Sequence, residues 1–238
     1  MQKLIDGAAG LGLHFEEIQL KQFQTYFSEL IDWNRRVNLT AITAYDDVQV
    51  KHFLDSLTVL LILREFPESG NLRMIDVGTG AGFPGIPLKI MLPEIRITLL
   101  ESTGKKALFL EHIRGVLGLG SVEIIAARAE DAAHLQEHRA KYDVALSRAV
   151  GALPALLELC LPLCKIGGLF VAQKLSKAKT ETAEAARAAS LLGGKLREVR
   201  EIDLPQLQGR CLIVYEKTSP TSARYPRRPG IPTKEPLV

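Results

Sequence analysis

The stretch MIDVGTGAGFPG, at residues 74–85, constrains the fold of this chain more than any other. An apolar run ends at Val77, three glycines follow at every second position, and Pro84 opens a predicted helix. A strand, a tight glycine turn and a helix N-terminus, in this order, form the ligand-binding unit of parallel α/β sheets. The stretch therefore predicts a nucleotide-type ligand at the carboxyl end of a parallel strand.

Apolar strands and amphipathic segments alternate after this stretch, which is typical of a parallel sheet with helices on both faces. The last two predicted strands are separated only by DLPQLQG, residues 203–209, a connection of hairpin size. The seventh strand is therefore predicted to run antiparallel. The predicted strands span residues 72–77, 95–100, 122–126, 142–146, 169–173, 195–202 and 210–216.

Both ends of the chain extend beyond the predicted sheet. Apolar residues between Phe15 and Trp33 recur at helical spacing, and a second helical pattern runs over residues 46–66. The tail from Thr218 is rich in prolines and basic residues, which predict an extended basic arm rather than a helix or a central strand. We predict a single domain over residues 1–238. Its parts are a helical extension at 1–70, a cofactor-binding core at 71–217 and the tail at 218–238.

Composition limits the core size, the cellular compartment and the partners that can be expected for this domain. The chain has 238 residues, of which 47% are hydrophobic, enough to form one full core. Its formal net charge of +3 matters only if the basic residues cluster on one surface. Three cysteines without a CxxC pair fit a reducing cytoplasm better than a disulfide framework or a zinc ribbon. No apolar run is long enough to cross a bilayer, so no membrane partner is predicted.

Asp76 and the register of the glycines decide between candidate ligands. Gly80, Gly82 and Gly85 satisfy GxGxxG, but a dinucleotide site begins where the strand ends, and this pattern begins three residues later. Asp76 at the strand end would repel a pyrophosphate and attract an ammonium group. S-adenosylmethionine carries an ammonium group and no phosphate, so it is the predicted cofactor.

The next strand ends carry further candidate ligand residues. Glu101 closes the second strand, where an acid can accept hydrogen bonds from both ribose hydroxyls, in NAD as well as in S-adenosylmethionine. Ala129 and Glu130 follow the third strand, where the ligand's base is expected, and Arg148 follows the fourth. Taken singly, Glu130 would be explained by helix capping and Arg148 by a surface ion pair. Four suitable strand ends together predict a site.

An H-x-x-E-H pattern at residues 134–138 has the spacing of two metal ligands on one helix face. Its surroundings are polar and no matching third ligand follows, so a solvated helix is predicted and no metal site. Cys160 and Cys164 have the same spacing within a leucine-rich stretch, which predicts buried core thiols.

Sequence motifs beyond the glycine loop point to one family. They are WNRRVNLTAIT (33–43), KHFLDSL (51–57), IDVGTGAGFPGIPL (75–88), LLEST (99–103), RAED (128–131), SRAV (147–150) and RYPRRPGIPTKEPL (224–237). With these motifs the chain resembles the bacterial small-subunit rRNA (guanine-N7) methyltransferase G family over most of its length. The glycine motif is common to many methyltransferases, whereas KHFLDSL and RYPRRPGIPTK are specific to this family.

The resemblance implies a Rossmann-like class I methyltransferase fold, α/β with a seven-stranded sheet whose last strand is antiparallel, preceded by N-terminal helices. It also implies methylation of N7 of one guanine in 16S rRNA, with S-adenosylmethionine as methyl donor. By position it implies cofactor contacts at Gly78, Phe83, Ala129, Glu130 and Arg148. The full predicted cofactor site comprises Asp76, Gly78, Gly80, Phe83, Glu101, Ala129, Glu130 and Arg148.

Guanine N7 carries an exposed lone pair, so its methylation needs alignment of two reactants and no base. His52 and Arg148 are the candidates for holding a flipped guanine, and they are the predicted catalytic residues. Basic residues around the crevice are expected to contact phosphates of 16S rRNA or of the 30S subunit, and the protein is expected to act as a monomer. The predicted RNA-binding residues are Arg35, Arg36, Lys51, Lys174, Arg224, Arg227 and Arg228, while Lys177 and Lys179 are predicted to be a solvated face.

Two alternatives remain open at this point. One is a methyltransferase that acts on a small molecule or a protein, whose activity would not depend on the basic tail. The other is a non-catalytic RNA-binding module, or an NAD-dependent enzyme of the same topology. Titration with S-adenosylmethionine and with NADH separates the members of the second group.

Overall fold

A seven-stranded sheet runs through the centre of the computed structural model, which describes residues 1–65, 71–148, 151–175 and 178–237. Alternate residues of the first strand belong to two separate core clusters, Met74 to one and Ile75 to the other, so both faces of the sheet are covered. The strands are β1 (Arg73–Val77), β2 (Arg96–Leu100), β3 (Val122–Ile125), β4 (Tyr142–Ser147), β5 (Cys164–Leu175), β6 (Gly194–Glu201) and β7 (Arg210–Lys217).

The order of the strands is β3-β2-β1-β4-β5-β7-β6. Strands β1 to β5 pair in parallel, and β7 is antiparallel to both of its neighbours, β5 and β6. The predicted antiparallel seventh strand is therefore confirmed. An all-parallel six-stranded sheet, the usual dinucleotide-binding topology, does not contain such a strand.

Helices connect and flank the strands. They are α1 (Gln2–Gly10), α2 (Glu17–Asn34), α3 (Tyr45–Val48), α4 (Asp55–Leu57), α5 (Leu60–Leu63), α6 (Gly85–Met91), α7 (Gly104–Val116), α8 (Ala129–Ala132), α9 (Leu153–Cys160), α10 (Ala178–Glu184), α11 (Ala186–Leu192) and α12 (Ile231–Lys234). In the parts of the chain that the structure describes, none of these helices combines the length and the hydropathy that crossing a bilayer requires.

The N-terminal region differs from its prediction in two ways. The first predicted helix is confirmed as α2, but a further helix, α1, precedes it. The pattern at residues 46–66 is not one helix, because a π-helical segment, Gln49–Leu54, lies between α3 and α4. A π-helix has i→i+5 hydrogen bonds, is rare, and is frequently found at functional sites. His52 lies inside this segment.

The N-terminal helices extend the core of the sheet. Leu4 of α1, Phe23 of α2 and Leu54 of the π-helix are fully buried in the same cluster as Leu99 of β2 and Val144 of β4. Burial of one such side chain contributes about 1.5–3 kcal/mol. Residues 1–65 are therefore fixed against one face of the sheet, and they can place side chains at its carboxyl edge.

The C-terminal tail is not the extended arm that its prolines predict. Residues Ile231–Lys234 form the helical turn α12, because a proline is tolerated in the first turn of a helix, where its missing N–H has no partner to lose. Tyr225, within this tail, is only 6% exposed and belongs to a core cluster. The tail is therefore packed against the domain.

Candidate active site at the carboxyl edge of the sheet

The strand order reverses between β1 and β4, so a crevice opens at the carboxyl ends of these two strands. The loop after β1 enters it with positive φ angles at Gly78, Gly80 and Gly82. At Gly82 a Cβ atom would lie 2.5 Å from Cδ1 of Ile86 and 2.7 Å from the hydroxyl of Tyr26, so only glycine fits. The hydroxyl of Tyr26, on α2, donates a 2.5 Å hydrogen bond to the carbonyl of Ala81 and holds the loop from the N-terminal side.

Asp76, at the end of β1, is completely buried beneath this loop. Its Oδ2 accepts hydrogen bonds from the hydroxyl of Thr79 at 2.6 Å and from the backbone N–H of Gly85 at 2.8 Å. Within the described residues its Oδ1 has no hydrogen-bond partner. Burial raises the pKa of Asp76 to about 6, although the two hydrogen bonds oppose this shift. The carboxylate is thus a buried anion with one acceptor atom unused.

Glu101, at the end of β2, ties two loops together. Its Oε2 accepts a hydrogen bond from the N–H of Gly80 at 2.9 Å, and its Oε1 accepts one from the N–H of Thr103 at 2.7 Å. A carboxylate has about four acceptor sites, so two remain for hydroxyl donors such as those of a ribose. The geometry is compatible with the role predicted for this acid.

A cavity of about 150 Å³ lies beside the glycine loop, where the loops after β1, β2 and β3 meet. The predicted residues Gly78, Ala129 and Glu130 line it, whereas Phe83 and Arg148 are not among its lining residues. Its walls also contain residues to which sequence reasoning assigned no role in the site, among them Leu100, Ser102, Leu156, Leu159 and Thr233. We refer to it as the base cavity, because the sequence predicts that the base of the ligand lies after β3.

Phe83 lies on the other side of the loop, in a second group of side chains that we call the arginine cluster: His52, Asp55, Phe83, Arg148 and Arg210. The ring of His52 is stacked on that of Phe83, with centroids 4.5 Å apart and planes at 16°. The guanidinium of Arg148 lies over the same ring, 5.0 Å from its centroid. Phe83 is 3% exposed, so it supports these two side chains from inside.

His52 is neutral in this arrangement. Burial, followed by the charge of Arg148, lowers the pKa of His52 to about 3. A guanidinium only donates, so Nδ1 of His52 accepts from Arg148 at 3.2 Å, and Nε2–H donates to the hydroxyl of Thr40 at 2.8 Å. Both ring nitrogens have partners, and the imidazole is not available as a base.

Asp55 joins two arginines within the cluster. It is 1% exposed; its Oδ2 accepts from Arg148 at 3.4 Å and its Oδ1 lies 3.3 Å from Nε of Arg210. Burial raises the pKa of Asp55 and lowers the pKa of Arg148, with each partner opposing the shift of the other. Sequence reasoning quoted Asp55 within KHFLDSL but gave it no role. An acid directly after Phe53 and Leu54 in that motif was the available signal.

Comparison with known proteins identifies the family. A model of the family described as rRNA small subunit methyltransferase G matches residues 19–208. The chain belongs to this family. A ribosomal RNA small subunit methyltransferase G from Dehalococcoides mccartyi is 49% identical to it over the full length of both chains. One from Roseiflexus castenholzii is 46% identical, also over 100% of both chains. The family predicted from the motifs is confirmed.

Solved structures share the methyltransferase fold. The M. jannaschii TYW2 structure, in complex with AdoMet, is 20% identical, covers 68% of this chain and 76% of its own, and has a TM-score of 0.52. TrmN from Thermus thermophilus is 18% identical, covers 80% of this chain and 52% of its own, and has a TM-score of 0.53. At these identities the likeness concerns the fold, and it confirms the predicted class I architecture.

Several basic residues predicted to bind RNA are exposed in this member of the methyltransferase G family. Arg35, Arg36, Lys51, Arg224 and Arg228 all lie on the surface. Arg36 forms a 2.6 Å ion pair with Asp32, and Lys51 forms a 2.9 Å ion pair with Asp47. Surface pairs of this kind contribute about 0–1 kcal/mol, so they can be exchanged for phosphate contacts.

Two other predicted RNA-binding residues already have partners inside the protein. Lys174 is 12% exposed, pairs with Glu181 at 2.7 Å and donates to the carbonyl of Gly151 at 2.6 Å. Arg227 pairs with Glu158, whose side chain is fully buried. Their structural partners account for both residues, and their predicted RNA contacts stay predictions. Lys177 lies outside the described residues.

The H-x-x-E-H pattern does not form the solvated helix predicted for it, because the only helix in that region, α8, ends at Ala132. His134 donates from Nε2 to the carbonyl of Pro226 at 2.8 Å. His138 is buried, with its Nδ1 2.7 Å from the hydroxyl of Tyr142. Among the described residues no group of three or more potential ligands is placed to hold a metal ion. The predicted burial of the cysteines is confirmed.

Proposed function

We propose that this chain transfers the methyl group of S-adenosylmethionine to N7 of one guanine in 16S rRNA. The arginine cluster beside the glycine loop carries the proposal. It presents a neutral His52 and the guanidinium of Arg148 over one aromatic ring, next to the predicted cofactor loop. Such a group can orient a planar base and donate to it, and it contains no exposed proton acceptor of the kind that a less reactive nitrogen would require.

The residues of the carboxyl edge fit this cofactor. Asp76 keeps one buried carboxylate oxygen without a partner, which suits the ammonium group directly or through a water molecule. Glu101 has acceptor sites left for ribose hydroxyls, and Ala129 leaves room for a base in the cavity. When bound, S-adenosylmethionine supplies an electrophilic methyl group on a positively charged sulfur.

The chain's own residues then have an orienting role. Arg148 is held to Asp55 by a hydrogen bond of 3.4 Å, longer than the usual 2.7–2.9 Å of a charge-assisted bond. Arg148 can therefore exchange this partner for an oxygen on the guanine edge, such as O6. Positive charge grows on the purine as N7 is methylated, and the buried carboxylate of Asp55 offsets that charge.

The exposed basic residues at both ends of the chain supply the RNA contacts in this proposal. Lys51 precedes His52 directly, and its carbonyl accepts from Arg148 at 3.1 Å, so a phosphate at Lys51 lies near the cluster. Arg35 and Arg36 follow α2, and Arg224 and Arg228 lie on the tail. Each contact adds an electrostatic contribution that weakens with salt.

Labelled S-adenosylmethionine and 30S subunits from cells that lack this protein provide the test. The label should enter a single guanine, and reduction followed by strand cleavage should place it at N7. The Arg148→Ala variant should bind the cofactor and lose most of the transfer. Absence of label in 16S rRNA at saturating enzyme, with cofactor binding intact, would overturn the proposal.

A further inference from the structure

One residue that lines the base cavity comes from the far end of the chain. Thr233, in α12, faces the same cavity as Gly78 after β1 and Ala129 after β3. The cavity, at about 150 Å³, is smaller than the roughly 300–1,000 Å³ of pockets that enclose a whole drug-sized ligand. It has room for one part of the cofactor, and the tail supplies part of its wall.

An ion pair between Arg227 and a buried carboxylate fixes the tail in this place. Nε and Nη2 of Arg227 donate to the two oxygens of Glu158, at 2.9 and 2.7 Å, and the backbone N–H of Arg227 donates to Oε1 at 2.7 Å. Glu158 lies on α9 and is 0% exposed. A carboxylate without solvent needs such a partner, so the tail is attached with the strength of a core contact.

A second group of contacts holds the segment before Arg227. Arg139 donates to the carbonyls of Thr221, Ser222 and Tyr225, at 3.0, 3.1 and 2.9 Å. His134 donates to the carbonyl of Pro226. These hydrogen bonds set the path of the tail on the N-terminal side of the ion pair.

Glu130 makes the last connection, directly at the cavity. Its Oε1 accepts a 2.8 Å hydrogen bond from the N–H of Gly230, the residue before α12. Gly230 has a φ of 85°, a left-handed conformation that glycine adopts without strain. Glu130 was predicted to contact the cofactor, and in this structure it holds the tail turn against the cavity that the cofactor's base would enter.

We propose that the turn at residues 230–234 forms the outer wall of the base end of the cofactor site, with Thr233 as its contact residue. The inference rests on the proposed function, since it assumes that the base of S-adenosylmethionine enters this cavity. The tail then contributes to cofactor affinity through the base. This role is separate from the RNA contacts of its exposed arginines.

Two variants test the wall in the full-length protein. Thr233→Trp adds volume at an exposed position and should raise the Kd for both S-adenosylmethionine and adenosine by about tenfold. Gly230→Val should raise both Kd values by about fivefold, because a β-branched residue disfavours the positive φ of this position. A Cβ at Gly230 would meet nothing within 4 Å, so this change acts through the backbone alone.

Calorimetry measures both ligands, and melting of the ligand-free protein checks folding. Ser222→Ala, at an exposed position on the tail outside the turn, is the matched control and should keep wild-type Kd values. Asp76→Asn should weaken S-adenosylmethionine but not adenosine, because adenosine lacks the ammonium group. A loss shared by both ligands in the two wall variants supports the inference.

Unchanged Kd values for adenosine in both wall variants would overturn the inference, as would a loss confined to S-adenosylmethionine. Either result leaves the proposed function standing if wild-type protein still methylates 16S rRNA. Conversely, a wild-type protein that binds both ligands but does not label RNA overturns the function, and the wall variants then report on the cavity alone.

Discussion

The N-terminal segment and the C-terminal tail both reach the carboxyl edge of the sheet, and each is attached there by a buried acid and an arginine. In the N-terminal case the acid is Asp55, on the added segment, and the arginine is Arg148, beside the sheet. In the tail the acid is Glu158, on a core helix, and the arginine is Arg227, on the added segment.

The two ion pairs differ in geometry and in charge. Glu158 holds Arg227 at 2.7 Å and through more than one bond, whereas Asp55 shares its oxygens between Arg148 and Arg210 at 3.4 and 3.3 Å. Hydrogen bonding to Glu158 raises the pKa of Arg227, while burial lowers the pKa of Arg148. The tail pair is built for stability. In the N-terminal pair, burial disfavours the charged form of Arg148, and perturbed pKa values of this kind cluster at functional sites.

The largest effect should follow from breaking the tail pair. Arg227→Ala removes the guanidinium partner of the buried Glu158 carboxylate, which keeps only the backbone N–H of residue 227, and should lower the free energy of unfolding by about 3–5 kcal/mol. Calorimetric melting should show a fall of about 6–20 °C. Arg228→Ala, at the exposed neighbouring position, should melt within about 2 °C of wild type. Similar melting temperatures for the two variants would contradict a stabilising role for the Arg227–Glu158 pair.

Loss of Arg148 should affect catalysis more than stability. Arg148→Ala removes the guanidinium over Phe83, and the single-turnover rate of RNA methylation should fall by about a hundredfold, since positioning is lost. Asp55 keeps Arg210 as a partner, so the melting temperature should fall less than in Arg227→Ala. Arg210→Ala is the matched control, with Arg148 retained and a smaller loss of rate. Equal losses of rate in the two variants would contradict the assignment.

The titration of Asp76, in β1, should be visible in cofactor binding. Its pKa is raised from 3.8 to about 6, so it is ionised above that pH and protonated below it. The Kd for S-adenosylmethionine should therefore rise as the pH falls through about 6. His52, with a pKa near 3, should add no dependence between pH 5 and 8.

The same shift fixes the sign of the stability effect. Because the folded state holds the proton of Asp76 more tightly than the unfolded chain, the ionised group costs stability above about pH 6. Asp76→Asn should accordingly melt no lower than wild type at pH 7.5, while its cofactor Kd rises by about tenfold. A lower melting temperature with an unchanged Kd would make Asp76 purely structural.

Substitution of the exposed arginines should give the smallest effects, and these effects should be equal at the two ends of the chain. Arg35→Ala with Arg36→Ala should leave the melting temperature almost unchanged and lower the slope of log K for RNA against log salt by about 1.5. Arg224→Ala with Arg228→Ala should do the same. A slope that changes at one end only would show that the rRNA contacts one side of the crevice.

Local patterns predicted those parts of the fold that local physics determines. The glycine loop, all seven strands and the antiparallel β7 follow from periodicity and from one short connection. Helix α1 was not predicted, because its sequence QKLIDGAAG contains one glycine in its interior and one at its end, and glycine disfavours a helix. Burial of Leu4 and Ala8 against the rest of the core stabilises it. Packing, which no short window contains, decided this element.

The candidate site divides in the same way. Ala129 and Glu130 were predicted from a strand end and Gly78 from the family motif, and these three residues line one cavity. Thr233 was not predicted, since its approach depends on a tail whose path is set by Glu158 and Arg139. An acid in the apolar helix LPALLELC indicates that Glu158 has a partner, but sequence cannot say which arginine is the partner. Contacts between distant residues are the part that required the structure.

Phe83 has a consequence for how the two substrates affect each other. Its backbone belongs to the cofactor loop, and its ring contacts Tyr26, His52 and Arg148 from the side proposed for RNA. Any movement of that ring when one substrate binds changes the binding site of the other substrate. By thermodynamic linkage, the factor by which rRNA alters the affinity for S-adenosylmethionine equals the factor by which S-adenosylmethionine alters the affinity for rRNA.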